Sequence, residues 1–368
     1  MLPPLPFTLF PNPRYGGGHT DTLPNSVYKR AKAAITSWDG YTQTPLRDLS
    51  AIARQANLDT IRLKDEASRF GLGSFKALGG AYAVACAPPE ARTVTCATDG
   101  NHGRAVAWGA QRFGRRCVIF VHEGVSPARV AAIARHGAEV RTIPGTYDDA
   151  VREAARQAEE HGWHVVSDTS WPGYTNVPRL IMQGYRLMAD EAADQWTGPP
   201  PTHVFIQGGV GGVAAAVAVQ IHARCQLTPA LIVVEPDRAA CLLASAELGE
   251  PTAIPGNLDT MMAGLACGEP SLLAWEVLNH AAAAFMAIPD EAAIAMMRLL
   301  ADHGVVAGES GVAGLAGCLL AAADPVARET LGLEQTSRIL AFCTEGATDP
   351  SLYMRFAGRA PQSVTIQS

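Results

Sequence analysis

From about residue 60 onward, short apolar runs rich in β-branched residues alternate with alanine-rich amphipathic stretches. That alternation restricts this chain more than any other feature. TIRLKD (60–65), TVTCAT (93–98), CVIFVH (117–122), EVRTIP (139–144), HVVSD (164–168), HVFIQ (203–207), LIVVEP (231–236) and RILAFC (338–343) read as strands. Between several of them, segments such as GRAVAWGAQRFG and PARVAAIARHGAEV carry apolar residues at helical spacing. A helix between successive strands is the crossover that a parallel pair needs. The pattern therefore predicts an α/β fold with mostly parallel sheet.

Composition narrows the class of partner. The chain has 368 residues, room for two or three domains at about 100–200 residues each. Apolar residues make up 48% and charged residues only 17%, which favours a large buried core over disorder. The 29 basic and 35 acidic residues leave a net charge of −6, a poor match for nucleic acid or an anionic membrane. No apolar run approaches the ~18 residues of a membrane span. The opening MLPPLPFTLFPNPR is broken by proline and lacks a basic start, so it reads as an extended arm rather than a signal peptide. The eight cysteines are scattered, without C-x-x-C pairs or zinc spacing. They predict no metal site and fit a reduced, cytoplasmic enzyme. WTGPPPTH (196–203) reads as a connection, and residues 245–270, poor in periodicity, as a long loop region of the kind that lines a site.

Three motifs carry chemistry. In IQGGVGGVAAAVAVQIHA (206–223) a buried strand ends at Gln207, glycines follow, and a helix begins. Backbone N–H groups at such a helix start cradle phosphate. A plain strand–helix turn accounts for the same residues. So does a dinucleotide-binding unit over 203–236: Gly209 to Ala214 satisfies G-x-G-x-x-A, and Glu235 ends the next strand at ribose-binding distance. In ATDGNHGRAVAW (97–108), Asp99 and Asn101 suit a capped helix start, with His102 incidental on the bland reading. In RFGLGSFKALGGAYAV (69–84), Lys76 stands among Phe75, Ala77, Leu78 and glycines. Such burial is expected to lower the lysine pKa and free the amine as nucleophile or base. A nucleophilic lysine together with a phosphate cradle suggests a Schiff base with a phosphate-bearing aldehyde, which pyridoxal phosphate satisfies. A dehydrogenase has no evident use for Lys76.

These residues resemble the fold-type II pyridoxal-phosphate enzymes, the group of threonine dehydratase and tryptophan synthase β. Within it the chain is most similar to the diaminopropionate ammonia-lyase family. K-D-E-x-x-R-F-G-L-x-x-F-K spans Lys64 to Lys76, T-D-G-N-H-G-R spans 98–104, and D-T-x-W-x-G-Y-T follows Ser167. V-E-P-D (234–237), M-A-G-L-A-C-G-E-P (262–270), G-E-S-G (308–311) and T-E-G-x-T-D (344–349) come in the same order.

The resemblance implies two open twisted α/β domains, a smaller one over 86–182 inserted into a larger one built from 1–85 and 183–368. It implies elimination of ammonia from 2,3-diaminopropionate, with a serine/threonine-type dehydratase as runner-up and, from another class, the NAD-linked dehydrogenase that 203–236 allows. It also implies a homodimer. Lys76 would carry the cofactor and move protons at the substrate α-carbon. Phe75 would pack by the cofactor ring, and Asn101 would bond its 3′-oxygen. Gly208, Gly209, Val210, Gly211 and Gly212 would hold the phosphate, and Thr344 would meet the pyridine nitrogen. Asp99, where ordinary dehydratases carry a small residue, would abstract a proton from the face opposite Lys76 or bind the distal ammonium. Asp168 is a second carboxylate for that ammonium, and Thr98 would join Asp99 and Asp168 against the substrate.

Overall fold

The computed structural model describes residues 2–16, 21–225, 227–256 and 258–364. Its strands are β1 (Thr8–Pro11), β2 (Leu46–Asp48), β3 (Thr60–Asp65), β4 (Thr93–Ala97), β5 (Arg116–His122), β6 (Glu139–Ile143), β7 (His164–Val165), β8 (His203–Gln207), β9 (Ala230–Pro236), β10 (Ala282–Ile288) and β11 (Arg338–Cys343). They form a seven-stranded sheet in the order β1-β10-β9-β8-β11-β3-β2 and a four-stranded sheet in the order β6-β5-β4-β7. The small sheet is parallel throughout. In the large sheet only the edge strands β1 and β2 run antiparallel to their neighbours.

The large sheet is buried on both faces, which explains why its strands read as nearly continuous apolar runs. Val204, Ile206, Val233, Leu340 and Phe342 face one core, shared with helices Ala77–Ala85, Asn176–Gln195 and Gly212–Arg224. The alternate residues Phe205, Ile232, Val234, Ile339 and Ala341 face a second core under helices Asp290–Asp302 and Ala313–Ala323. The period of two in a strand makes that division.

Three elements go beyond the sequence reading or depart from it. The N-terminal arm is a strand for four residues, paired through Leu9 and Phe10 with Met286 and Phe285 of β10. β10 itself, AAAFMAI, has no apolar–polar alternation and opens on three alanines; its pairing with β9 and β1 decides its conformation. The strand expected over 164–168 leaves the ladder after Val165, and the chain turns so that Asp168 faces a cavity.

The glycines beside Lys76 serve packing. Helix Ala77–Ala85 is buried along almost its whole length. A Cβ on Gly79 would overlap Ile181 and Tyr185 of helix Asn176–Gln195, and one on Gly80 would come within 3.1 Å of Ala105. The lysine thus sits at the start of a helix wedged between two others, one of them from the part of the chain that forms the small sheet.

Candidate active site

A cleft of about 980 Å3, counted to its open mouth, lies where the two sheets face each other. That is the size of a pocket for a cofactor together with a small substrate. Its walls come largely from the C-terminal ends of parallel strands: Thr98 to His102 after β4, Asp168 after β7, Gln207 to Gly212 around the end of β8, Thr344 and Glu345 after β11. Ligand sites of open α/β sheets lie at such ends. Lys76, Phe75 and Tyr185 complete the wall, with Gly264, Leu265 and Cys267 from the loop region expected to line a site.

Lys76 Nζ donates to Asp168 Oδ2 at 2.6 Å and lies 5.2 Å from the Phe75 ring centroid and 5.7 Å from that of Tyr185. Burial pushes the amine down, as expected from the sequence. The Asp168 charge and hydrogen bond, together with Tyr185 and Cys267, outweigh that effect in sum and hold the ammonium above its ordinary range. The expectation of a lowered lysine pKa is therefore reversed here, because folding sets Asp168, 92 positions away in the chain, directly against Lys76. Burial acts on Asp168 in the opposite sense, yet the Lys76 ammonium keeps its carboxyl well below the usual range.

His102 stands beside this pair. Its Nε2 is 2.7 Å from the Val166 carbonyl oxygen, which only accepts, so Nε2 carries the proton. Burial lowers its pKa and keeps the imidazole neutral. Nδ1 is then an acceptor with no hydrogen-bonding partner, 3.7 Å from Asp168 Oδ2.

The turn after β4 is held by Thr98, whose Oγ1 accepts from the N–H groups of Gly100 and Gly103 at 2.9 and 3.0 Å. Thr98, rather than Asp99 or Asn101, thus supplies the side-chain oxygen that satisfies this helix start. Asp99 is left for other work. Its Oδ1 is 3.0 Å from His122 Nε2, and the carboxylate raises the His122 pKa through that hydrogen bond. Asn101 donates from Nδ2 to Glu345 Oε2 and accepts from Arg104 Nη2.

On the opposite wall the loop after β8 carries no functional side chain. Gly208, Gly209, Val210 and Gly212 line the cavity, and helix Gly212–Arg224 starts there with first-turn N–H groups that have no intrahelical acceptor. Gly211 lies behind the lining. At φ +93° its N–H donates to Gly208 O, and a Cβ there would meet Ala274, Leu278 and Leu242 at 3.0–3.2 Å. Its freedom shapes the turn instead of opening space for a ligand. Thr344 Oγ1 accepts from Gln207 Nε2 at 2.7 Å, which leaves the hydroxyl proton for another acceptor.

Sequence reading did not single out Tyr147, Tyr185, Arg129, Cys267 or Glu345, all of which line the cavity. It set His102 aside as incidental. The usable signal was position: Glu345 follows a strand that already ended in a marked residue, and Arg129 follows the next parallel strand but one turn later. Tyr147 and Tyr185 are brought in only by tertiary packing. Arg129 also crosses the cleft to Glu309, at 2.5 Å, and Ser126 to Asp349, at 2.7 Å, so the two sheets are tied at the cavity rim. Glu235 does not reach a ligand. It is fully buried, and its carboxyl oxygens accept from Leu242 and Leu243 N–H at 2.9 and 2.8 Å. The ribose contact that a dehydrogenase needs is absent.

The residues of the cavity fit pyridoxal phosphate: a lysine amine, a bare helix start for the phosphate, a hydroxyl with a proton to give, and an orphaned buried acceptor at His102. Comparison with known proteins agrees. Residues 37–341 match the family model described as pyridoxal-phosphate dependent enzyme. The chain is 40% identical over 376 residues to the diaminopropionate ammonia-lyase of Escherichia coli (strain K12), spanning 93% of this chain and 94% of that protein. It is 36% identical to the diaminopropionate ammonia-lyase of Salmonella typhimurium, over 92% of this chain and 94% of the other. The crystal structure of the Escherichia coli enzyme in complex with an aminoacrylate–PLP azomethine reaction intermediate superimposes with a TM-score of 0.90 at 37% identity, covering 98% and 99% of the two chains. Among the described residues, no helix is long and apolar enough to cross a membrane.

Proposed function

The chain belongs to the pyridoxal-phosphate-dependent enzymes, and from that premise we propose that it is a carbon–nitrogen lyase that removes ammonia from 2,3-diaminopropionate. Water is consumed, and the products are pyruvate and ammonia from both nitrogens. When bound, pyridoxal phosphate supplies an electron sink conjugated to the substrate α-carbon.

The residues divide the remaining tasks. Lys76 holds the cofactor and moves the α-proton on its own side of the cavity. Asp99 takes the α-proton from the other face, which gives the enzyme a base for each enantiomer. The N–H groups of Gly209, Val210 and Gly212 are the phosphate seat in this reading, while Gly208 and Gly211, whose own N–H groups donate to Val234 O and Gly208 O, contribute through turn shape. Phe75 packs by the ring, the Thr344 hydroxyl serves the pyridine nitrogen, and Thr98 shapes the substrate loop. Asn101 serves the 3′-oxygen, for which its Nδ2 has to leave Glu345.

One observation carries the choice of substrate: Asp168 already holds an ammonium, that of Lys76, at 2.6 Å inside the cavity. Once the lysine nitrogen is committed to the cofactor, that place is left for another cation, and the distal ammonium of diaminopropionate is of the same chemistry. A β-ammonium leaves as neutral ammonia and needs no proton donor. The hydroxyl of serine does need one, and it offers Asp168 no positive charge to pair with. The small domain in this reading is 86–182, set into 1–85 and 183–368, and the enzyme is a cytoplasmic homodimer.

The test is direct. Purified protein loaded with pyridoxal phosphate should show a visible absorption band that borohydride removes, and should form pyruvate from diaminopropionate. A colourless protein that retains no cofactor would rule the reading out.

A further inference from the structure

Asp99 and His122 are neighbours because of strand register. β4 and β5 run parallel with Ala97 opposite Phe120. Both chains continue past that pair, and Asp99 and His122 come side by side at the C-terminal edge of the small sheet, His122 Nε2 3.0 Å from Asp99 Oδ1. The backbone N–H of Gly124 donates to His122 Nδ1 at 3.2 Å. A backbone N–H can only donate, so Nδ1 is the unprotonated nitrogen and the proton lies on Nε2. The direction of the second bond is thereby fixed: Nε2–H donates to Asp99. Gly124 is needed at this distance, since a Cβ there would come within 2.8 Å of His122 Cε1 and 3.0 Å of Nδ1.

Asp99 has reason to need a tether. Its side chain is 29% exposed at the cavity mouth, and the flexible guanidinium of Arg129 reaches its carbonyl oxygen at 3.5 Å. A carboxylate free to turn toward that cation or toward water would spend much of its time away from a substrate.

We propose that His122 is a positioning residue for Asp99, holding one carboxylate oxygen through Nε2–H so that the other faces the cavity as the base for the D enantiomer. The proposal rests on the reading of Asp99 as that base. It assigns to the Gly124–His122–Asp99 chain a part in accepting D-diaminopropionate, and none in the reaction of the L form, whose α-hydrogen faces Lys76. Because the tether sets where a base stands and not how substrate is held, its loss acts on kcat more than on KM.

The test uses the holoenzyme with each enantiomer as its own control. His122→Phe keeps the ring and removes the donor. It should lower kcat for D-diaminopropionate about 10- to 100-fold, the usual cost of misplacing a reacting group, with KM within about twofold and L-isomer turnover unchanged. His122→Gln, whose amide nitrogen can donate from nearly the same place, should recover most of the loss. Should His122→Phe not fold, His122→Asn, too short to reach Asp99, carries the same expectation. Equal losses on both enantiomers, or no loss on the D form, would overturn the role of His122 alone. A parent enzyme active on the L form and inert to the D form would overturn the reading of Asp99 as a base, and this inference with it.

Discussion

Two strand–loop–helix turns open on the cavity, one after β4 and one after β8. Both end a parallel strand, both bend at glycines, and both start a helix at the cleft. After β8 the turn is GGVGG, and of those five residues only glycine backbone and Val210 line the wall. After β4 it is TDGNH, and Asp99, Asn101 and His102 all line it. The same local fold therefore does opposite work. The bare turn makes its own amides the functional group, suited to a phosphate that stays. The dressed turn presents side chains that accept hydrogen bonds and protons, suited to a substrate that comes and goes. Lys76 faces both, and Asp168 holds it from the side of the small sheet.

The largest effect should come from removing the group that both turns face. Lys76→Ala should abolish pyruvate formation and the visible cofactor band, read by absorbance and by a coupled pyruvate assay; full activity with the band intact would remove Lys76 from the chemistry. Next comes the dressed turn. Asp99→Asn keeps the shape and removes the base, so turnover of D-diaminopropionate should fall about 10²–10⁴-fold, the worth of a positioned general base. The L isomer should lose far less. Equal losses on the two enantiomers would make Asp99 a binding or capping residue and not a base.

Asp168→Asn should cost about 10- to 100-fold in kcat/KM for diaminopropionate, corresponding to ~1.5–3 kcal/mol for a charge-assisted bond. Serine should be much less affected, and a uniform loss would mark Asp168 as a structural partner of Lys76. The smallest effect belongs to the bare turn. Gly211→Ala puts a side chain at φ +93° against Ala274 and Leu278. Left-handed strain of about 1–2 kcal/mol should lower the melting temperature of the apo form, while the cofactor dissociation constant stays close to that of the parent. A large loss of cofactor affinity with unchanged melting would show that Gly211 faces the phosphate after all.

Much of this contrast was legible in the sequence. The bare turn and the lysine announce themselves, because glycines and a solitary cation among apolar residues are local signals. Asp99 stood out because a carboxylate occupies a place where a small residue is usual. What stayed hidden depends on register and on contacts across the cleft. His122 reaches Asp99 only through the alignment of β4 with β5. The effect of Asp168 on Lys76 joins residues 92 positions apart, so a lysine that looked set for a lowered pKa carries a raised one. β10 was missed for the same reason, its alanines being compatible with helix until two neighbouring strands claim them.

The account stands on the claim that the cavity reads a distal ammonium. The most direct test is a steady-state comparison of the cofactor-loaded enzyme on D- and L-diaminopropionate, serine and threonine, with pyruvate or 2-oxobutyrate and ammonia measured together. Both diaminopropionate enantiomers should be turned over with kcat/KM well above that of either hydroxyamino acid, releasing ammonia from both nitrogens for each pyruvate formed. Serine or threonine turned over better than either form of diaminopropionate would contradict it.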